Sequence, residues 1–325
     1  MQPAKAQTVS PRIAADRHRT AILIPCYNEA STIAKVIADF RAALPSAIVY
    51  VYDNNSTDGT ADAAHASGAI VGSEMRQGKG HVVRRMFRDV DADIFVLVDG
   101  DATYDAASVG KLIAAVVEGG ADMVVGVRVS REAAAYRRGH EFGNRWLTAF
   151  VGTVFRKKLC DMLSGYRALS RRFVKSFPAL SGGFEIETEL TIHALELDLP
   201  IAEVDTPYYA RPAGSLSKLN TWSDGVRILL SILHLYRSER PLAFFTILAA
   251  VLAALSVVLA VPVVVTFAET GLVPRLPTAV LSTGLMILAF MAQAVGFVLD
   301  TVTQGRREMK LLAFLDQPPP RRGSD

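Results

Sequence analysis

Two carboxylates separated by a single glycine, Asp99-Gly100-Asp101, are the residues of this chain best suited to chemistry. They follow an apolar run and can face one hard cation that already carries phosphates. Mg2+ and Mn2+ prefer oxygen ligands and usually keep water and substrate phosphate oxygens in their remaining positions. An Asp-x-Asp alone is equally a turn or a helix cap, so its meaning comes from its surroundings. Asp53 ends another apolar run and could accept from a nucleobase imide or a ribose hydroxyl, although Asp53 to Gly59 is also rich in turn formers. Tyr27-Asn28-Glu29 follows a third run. Arg76-Gln77-Gly78-Lys79-Gly80 could bring a cation to a diphosphate, its glycines permitting close approach. The histidines are scattered, and His193 and His234 read as surface or hydrogen-bonded residues rather than metal ligands.

The elements that must position these groups alternate. Ala21 to Pro25, Ile48 to Tyr52, Ile94 to Val98 and Met123 to Val127 are short apolar runs of the kind that form buried parallel strands. Ala30 to Leu44 has helical spacing, with Ser31 near its start; Asp58-Gly59 opens a second helix, and Gly80 to Val90 and Ser108 to Glu118 are also helical. Strand and helix in alternation mean an α/β fold, a mostly parallel sheet flanked by helices. Ligands of such sheets bind beyond the carboxyl ends of the strands, and all three polar clusters fall there. One cleft collects them.

Composition narrows the class. The chain has 325 residues, 50% hydrophobic and 21% charged, which excludes disorder, a collagen-like repeat and a coiled-coil rod. Its two cysteines, Cys26 and Cys160, exclude a disulfide scaffold and a Cys-rich zinc site, and point to a reducing compartment. A net charge of +3 is too mild to argue for nucleic acid as a partner. The N-terminal segment has no apolar core of a signal peptide and reads as a loose tail over residues 1–19.

Two uncharged apolar runs, Leu242 to Phe267 and Thr278 to Leu299, each reach the length needed to span a bilayer. Pro262 is tolerable there because neighbouring helices can satisfy the freed carbonyl. The short connection holds Glu269 and Arg275, whereas the outer flanks hold Arg237, Arg240, Arg306, Arg307 and Lys310. Positive flanks stay in the cytoplasm, so a transmembrane hairpin over residues 241–303 is expected, with the N-terminal residues and a 304–325 tail cytoplasmic. Residues 221–240 alternate Ser223, Asp224, Arg227, Ser231 and His234 with Val226, Leu229, Leu230 and Leu233. They form an amphipathic helix that could lie in the interface or pack on the preceding domain.

In this order, IPCYNE, DNNSTDGT, RQGKG, DGDATYD, SGYRALSRR and RPAGSLSKLN resemble family 2 glycosyltransferases of the polyprenyl-phosphate branch. The relatives are dolichol-phosphate mannosyltransferases and bacterial polyisoprenyl-phosphate glycosyltransferases. The resemblance implies a GT-A-like domain over residues 20–220, followed by the amphipathic helix and two transmembrane helices in a bacterial plasma membrane. It implies a nucleotide-diphosphate-sugar donor, a polyprenyl phosphate acceptor, undecaprenyl phosphate above all, and Mg2+ or Mn2+ at Asp99 and Asp101. Pro25, Tyr27 and Glu29 match the motif that lines the nucleotide pocket, Asp53 the acid that contacts the base, and Lys79 lies in the loop near the donor. Thr103 stands where the mannosyltransferases often have a glutamine ligand, which puts the third metal ligand and a GDP-mannose donor in doubt. Arg128, Arg137, Arg138 and Arg145 fall in a segment the family uses near the acceptor phosphate; such a cluster is also a basic face for anionic lipid. Arg211, Gly214, Ser217 and Lys218 resemble a lid over the donor and acceptor phosphates. Glu185 and Glu187 occupy the region where relatives that transfer to hydroxyls place a base. Asp161 and Ser164 read equally as turn residues. Another lipid acceptor, or an inactive GT-A scaffold, stays open beside this reading, as does a homo-oligomer. A processive polysaccharide synthase is disfavoured, because two spans are too few and Gln-x-x-Arg-Trp is missing.

Overall fold

A computed structural model describes residues 18–129, 151–152, 155, 157, 159–183, 185–211 and 236–319. β1 (Thr20–Cys26) is buried along its whole length, and its side chains alternate between two cores. Ile22, Ile24 and Cys26 join the core on one face, and Ala21 and Leu23 the core on the other, as the two-residue period of a strand requires. α1 (Ile33–Ala43) covers the first face with Ile33, Val36, Ile37 and Phe40. Its first turn does not use Ser31: Thr32 is the cap residue, and its hydroxyl donates instead to the Gly100 carbonyl at 2.7 Å. β2 (Ile48–Asp53) and α2 (Thr60–Ala66) follow, then β3 (Ile70–Ser73), a half-exposed edge strand without a clear apolar run. α3 (Lys79–Asp89) covers the second face with Val82, Val83, Met86 and Phe87. β4 (Ile94–Leu97), α4 (Val109–Val117) and β5 (Met123–Val129) complete the elements expected from the apolar runs.

The remainder is β6 (Arg167–Ser170), α5 (Arg171–Ser176), α6 (Ile186–Glu196) and β7 (Ile201–Pro207). The seven strands lie in the order β3-β2-β1-β4-β6-β5-β7. β1, β2, β3 and β4 run parallel, β7 runs parallel to β5, and β6 is antiparallel to both β4 and β5. The sheet is mostly parallel and flanked by helices, as expected, with one inverted strand, β6, in its interior.

Two long helices follow, α7 (Pro241–Thr270) and α8 (Leu276–Leu315). Both are long and apolar enough to cross a membrane, and only 17% and 11% of their most apolar windows are buried. Pro262 lies inside α7, and the Ser256 hydroxyl donates to the Ser282 carbonyl at 2.6 Å across the pair. The chain divides into two compact units, residues 1–224 with 310–325, and residues 225–309. Within the 304–325 segment, residues 304–315 continue α8, and Phe314 belongs to the core packed beneath α3 and α6. Of the apolar residues in this last stretch, Phe314 is buried, whereas Leu311, Leu312 and Leu315 are exposed. The amphipathic helix falls mostly outside the described residues; 236–239 are helical.

Candidate functional site

The carboxyl ends of β1, β2 and β4 come together because the three strands are adjacent and in register, with Cys26 opposite Asp53 and Leu23 opposite Leu97. Their loops are tightly laced. The Asn28 N–H donates to Ser56 Oγ at 2.8 Å, the Glu29 N–H to Thr60 Oγ1 at 2.9 Å, and the Thr57 N–H to Asn28 Oδ1 at 2.9 Å. Asn28, Asn55 and Ala102, one in each loop, adopt left-handed φ of 52°, 61° and 59°. Such angles are costly for residues with a Cβ and persist only where the surroundings fix them.

Asp99 and Asp101 stand at the end of β4, each against a cation. Asp99 is ion-paired with the Lys79 ammonium, which also meets Glu187 Oε1 at 2.5 Å. Burial works against the charged form of Lys79, but the two carboxylates more than offset it and raise its pKa above the ordinary lysine value. Asp101 is buried; its Oδ1 accepts from the Thr103 hydroxyl at 2.6 Å, and its Oδ2 lies 2.7 Å from Arg211 Nη2. Two hard oxygen donors already facing positive charge fit a Mg2+ or Mn2+ ion. Among the described residues no cluster of three metal-ligating side chains forms, so water and donor phosphates would fill the other positions.

The other expected residues take distinct places. Pro25 is buried in β1, and Tyr27 lies exposed beyond it. Asp53 is buried; its Oδ2 accepts from the Ser56 N–H at 3.0 Å, while Oδ1 has no hydrogen-bond partner. Arg128, at the end of β5, is forked onto Asp161 at 2.7 and 2.8 Å and lies over the Tyr208 ring. Arg138, Arg145, Ser217 and Lys218, with Arg137 and Gly214, lie outside the described residues. Ser164 has a structural role, donating to the Gly126 carbonyl at 2.6 Å. The glycines of the 76–80 loop lie against another stretch of backbone. A Cβ on Gly78 or Gly80 would meet the Gly182 or Ser181 carbonyl oxygen at 2.2 or 2.1 Å. What approaches them closely is this backbone, and it brings α6 and Glu187 up to Lys79.

Several contributors lie inside the quoted motifs but had no role assigned to them. Asn54 clamps the 74–78 loop: its Nδ2 donates to the Glu74 and Arg76 carbonyls, both at 2.8 Å, and its Oδ1 accepts from the Gly78 N–H at 2.7 Å. Arg167 is fully buried, donates to the Ser164 and Met162 carbonyls and to Thr191 Oγ1, and has its pKa pushed down to about 10 by burial. Tyr104 accepts from the Gly165 N–H at 2.9 Å. A Cβ on Gly165 would sit 2.5 Å from Asp99 Oδ2, so this glycine forms the wall behind the Asp99 carboxylate.

Residues 21–176 match the model of the family described as glycosyl transferase family 2. A glycosyltransferase of Haloferax volcanii, AglJ, is 37% identical over 226 residues, covering 69% of this chain and 74% of that protein. An undecaprenyl-phosphate mannosyltransferase of Micrococcus luteus is 25% identical over 213 residues, covering 60% of this chain and 86% of that protein. Among solved structures, glucosyl-3-phosphoglycerate synthase from Mycobacterium tuberculosis, in complex with Mn2+, UDP and glucosyl-3-phosphoglycerate, is similar with a TM-score of 0.57 and 26% identity. The match covers 71% of this chain and 86% of that one.

Proposed function

The chain belongs to glycosyl transferase family 2, and from that premise we propose that it moves a sugar from a nucleotide diphosphate to polyprenyl phosphate at a membrane. The observation that carries the reading is the Asp99/Asp101 pair at the end of β4, at the same sheet end as the half-satisfied Asp53 of β2 and in a chain that also has two apolar helices. The Mn2+ and UDP of the mycobacterial structure support a divalent ion and a nucleotide donor, and the M. luteus relative supports a lipid phosphate acceptor.

Asp99 and Asp101 would hold the ion, whose charge would offset that of the departing diphosphate. Asp53 Oδ1, buried without a partner, suits an N–H of the base. A phosphate monoester has a second pKa of about 6 and is mostly ionised near pH 7. Its oxygen needs no general base, unlike an alcohol. Glu187 fits that economy: it is bound to the Lys79 ammonium and so fixes the cation beside Asp99. Bringing two anions together would fall to Arg128, Arg138, Arg145, Arg211, Ser217 and Lys218. In this reading α7 and α8 form a hairpin in the bacterial plasma membrane, with the catalytic domain in the cytoplasm.

The test is transfer itself. The purified full-length protein is incubated with undecaprenyl phosphate, Mn2+ and a panel of labelled UDP- and GDP-sugars. Label is expected in the lipid from one donor, lost with excess chelator and in Asp101→Asn. Label that stays out of the lipid with every donor, or transfer that survives chelation, overturns the corresponding part of the proposal.

A further inference from the structure

The two cations that face the aspartates are not equivalent. Lys79 sits at the start of α3, its side chain 10% exposed, gripped by Asp99 on one side and Glu187 on the other. Arg211 is 38% exposed and reaches Asp101 from beyond the end of β7. Among the described residues, the backbone ties of that segment stop short of it. Tyr208 bridges Tyr104, and the Tyr209 N–H donates to the Thr103 carbonyl at 2.9 Å, so Arg211 can swing away while those ties stay made. Asp101 cannot move in compensation, because its other oxygen accepts from both the Thr103 N–H and the Thr103 hydroxyl.

We propose that Arg211 is a placeholder for the divalent ion at Asp101, holding that carboxylate until the ion displaces it. A carboxylate only 4% exposed is poorly hydrated and strongly favours a counter-charge. A guanidinium at 2.7 Å supplies one. A divalent cation on the same oxygen repels it across a short, weakly screened distance. The two cations therefore compete for Asp101, and loading of the ion releases a planar donor that matches phosphate oxygens. Arg211 is thereby a positioning residue for the metal before it is a contact for the donor. The proposal rests on the reading that Asp99 and Asp101 seat the ion.

Mn2+ binding to the full-length protein in detergent, followed by electron paramagnetic resonance without nucleotide, tests it. Arg211→Gln is expected to bind Mn2+ about 10-fold more tightly than the wild type, within the usual range for coupled sites. Arg211→Lys, which restores a cation, should return most of the way to wild type. In the wild type, Mn2+ should also speed phenylglyoxal modification of Arg211 several-fold, read by peptide mass spectrometry and independent of any variant's folding. Equal or weaker Mn2+ binding by Arg211→Gln, or a modification rate that Mn2+ leaves unchanged, overturns the placeholder and leaves the metal site standing. If neither the wild type nor Arg211→Gln binds Mn2+, the metal reading falls and this inference with it.

Discussion

Lys79 holds two acids that lie 20 and 108 residues away in the chain, so one ammonium ties the end of β4 to the start of α6. Glu187→Gln keeps the shape but weakens that tie. Turnover is expected to fall about 10- to 100-fold, the usual cost of losing a group that orients a ligand-bearing residue. The pH profile from 6 to 9 should keep its form, and azide or formate should restore nothing. Rescue by either small base would make Glu187 a general base and end the no-base mechanism. At this scale the acids were legible and their partners were not. Asp53, Asp99 and Asp101 stand where apolar runs stop, a local signal. The Lys79–Glu187, Arg211–Asp101 and Arg128–Asp161 pairs are made by the fold, and no spacing along the chain announces them. Arg167 is the extreme case: the sequence offers an arginine after a tyrosine, and burial turns it into the hydrogen-bonding hub of the 162–164 turn.

β1, β2, β4 and β5 were readable because parallel strands buried on both faces are continuous apolar runs. β6 was not, since Arg167-Ala-Leu-Ser170 has no such run; it is buried by pairing antiparallel between β4 and β5. Its approach carries Gly165 against Asp99, and Gly165→Ala tests how tightly that wall is built. The added methyl is expected to cost about 1–3 kcal/mol of stability, as overpacking does. Turnover should drop at least ~10-fold, because a carboxylate displaced by a fraction of an ångström no longer meets its charge. A variant with lower stability and unchanged turnover would detach Gly165 from the site. α6 carries a second test. His193 is buried, edge-on to Phe173 and Phe177, with Nε2 at 3.0 Å from Ser176 Oγ and Nδ1 without a partner. Burial, with a lesser contribution from Lys310, pushes its pKa down to about 3. Unfolded, the imidazole titrates near 6.5. Below that pH the unfolded chain binds a proton that the folded one refuses, so stability falls as pH falls from about 6.5 towards 3. The loss reaches about 2 kcal/mol by pH 5. Thermal melts of the wild type and His193→Met between pH 7.5 and 5 should diverge by that amount; parallel slopes would refute the buried neutral histidine.

The whole molecule is one catalytic unit and one pair of apolar helices, and both were visible as a change in composition near residue 240. The positive flanks add a topology that labelling can check. Cysteine placed at Leu272 should react only from the non-cytoplasmic side, and cysteine at Pro320 only from the cytoplasm. Reaction of both from one side would break the hairpin. Less visible was how the chain's two ends of the story join. Phe314 sits in the catalytic core and lies beneath the Arg172 guanidinium, 4.7 Å away, while Lys310 pairs with Glu196 at 2.6 Å across 114 residues of sequence. A ribosome finishes residues 1–224 first and must then translate about 90 more before Phe314 exists. At 5–20 residues per second that is an interval of roughly 5 to 20 s. Through that interval the nascent domain waits with an open seat in its core, and only after both apolar segments have been synthesised does the piece that fills it arrive. Completion of that core is thereby timed to follow the making of the two apolar helices, a clock written into chain order.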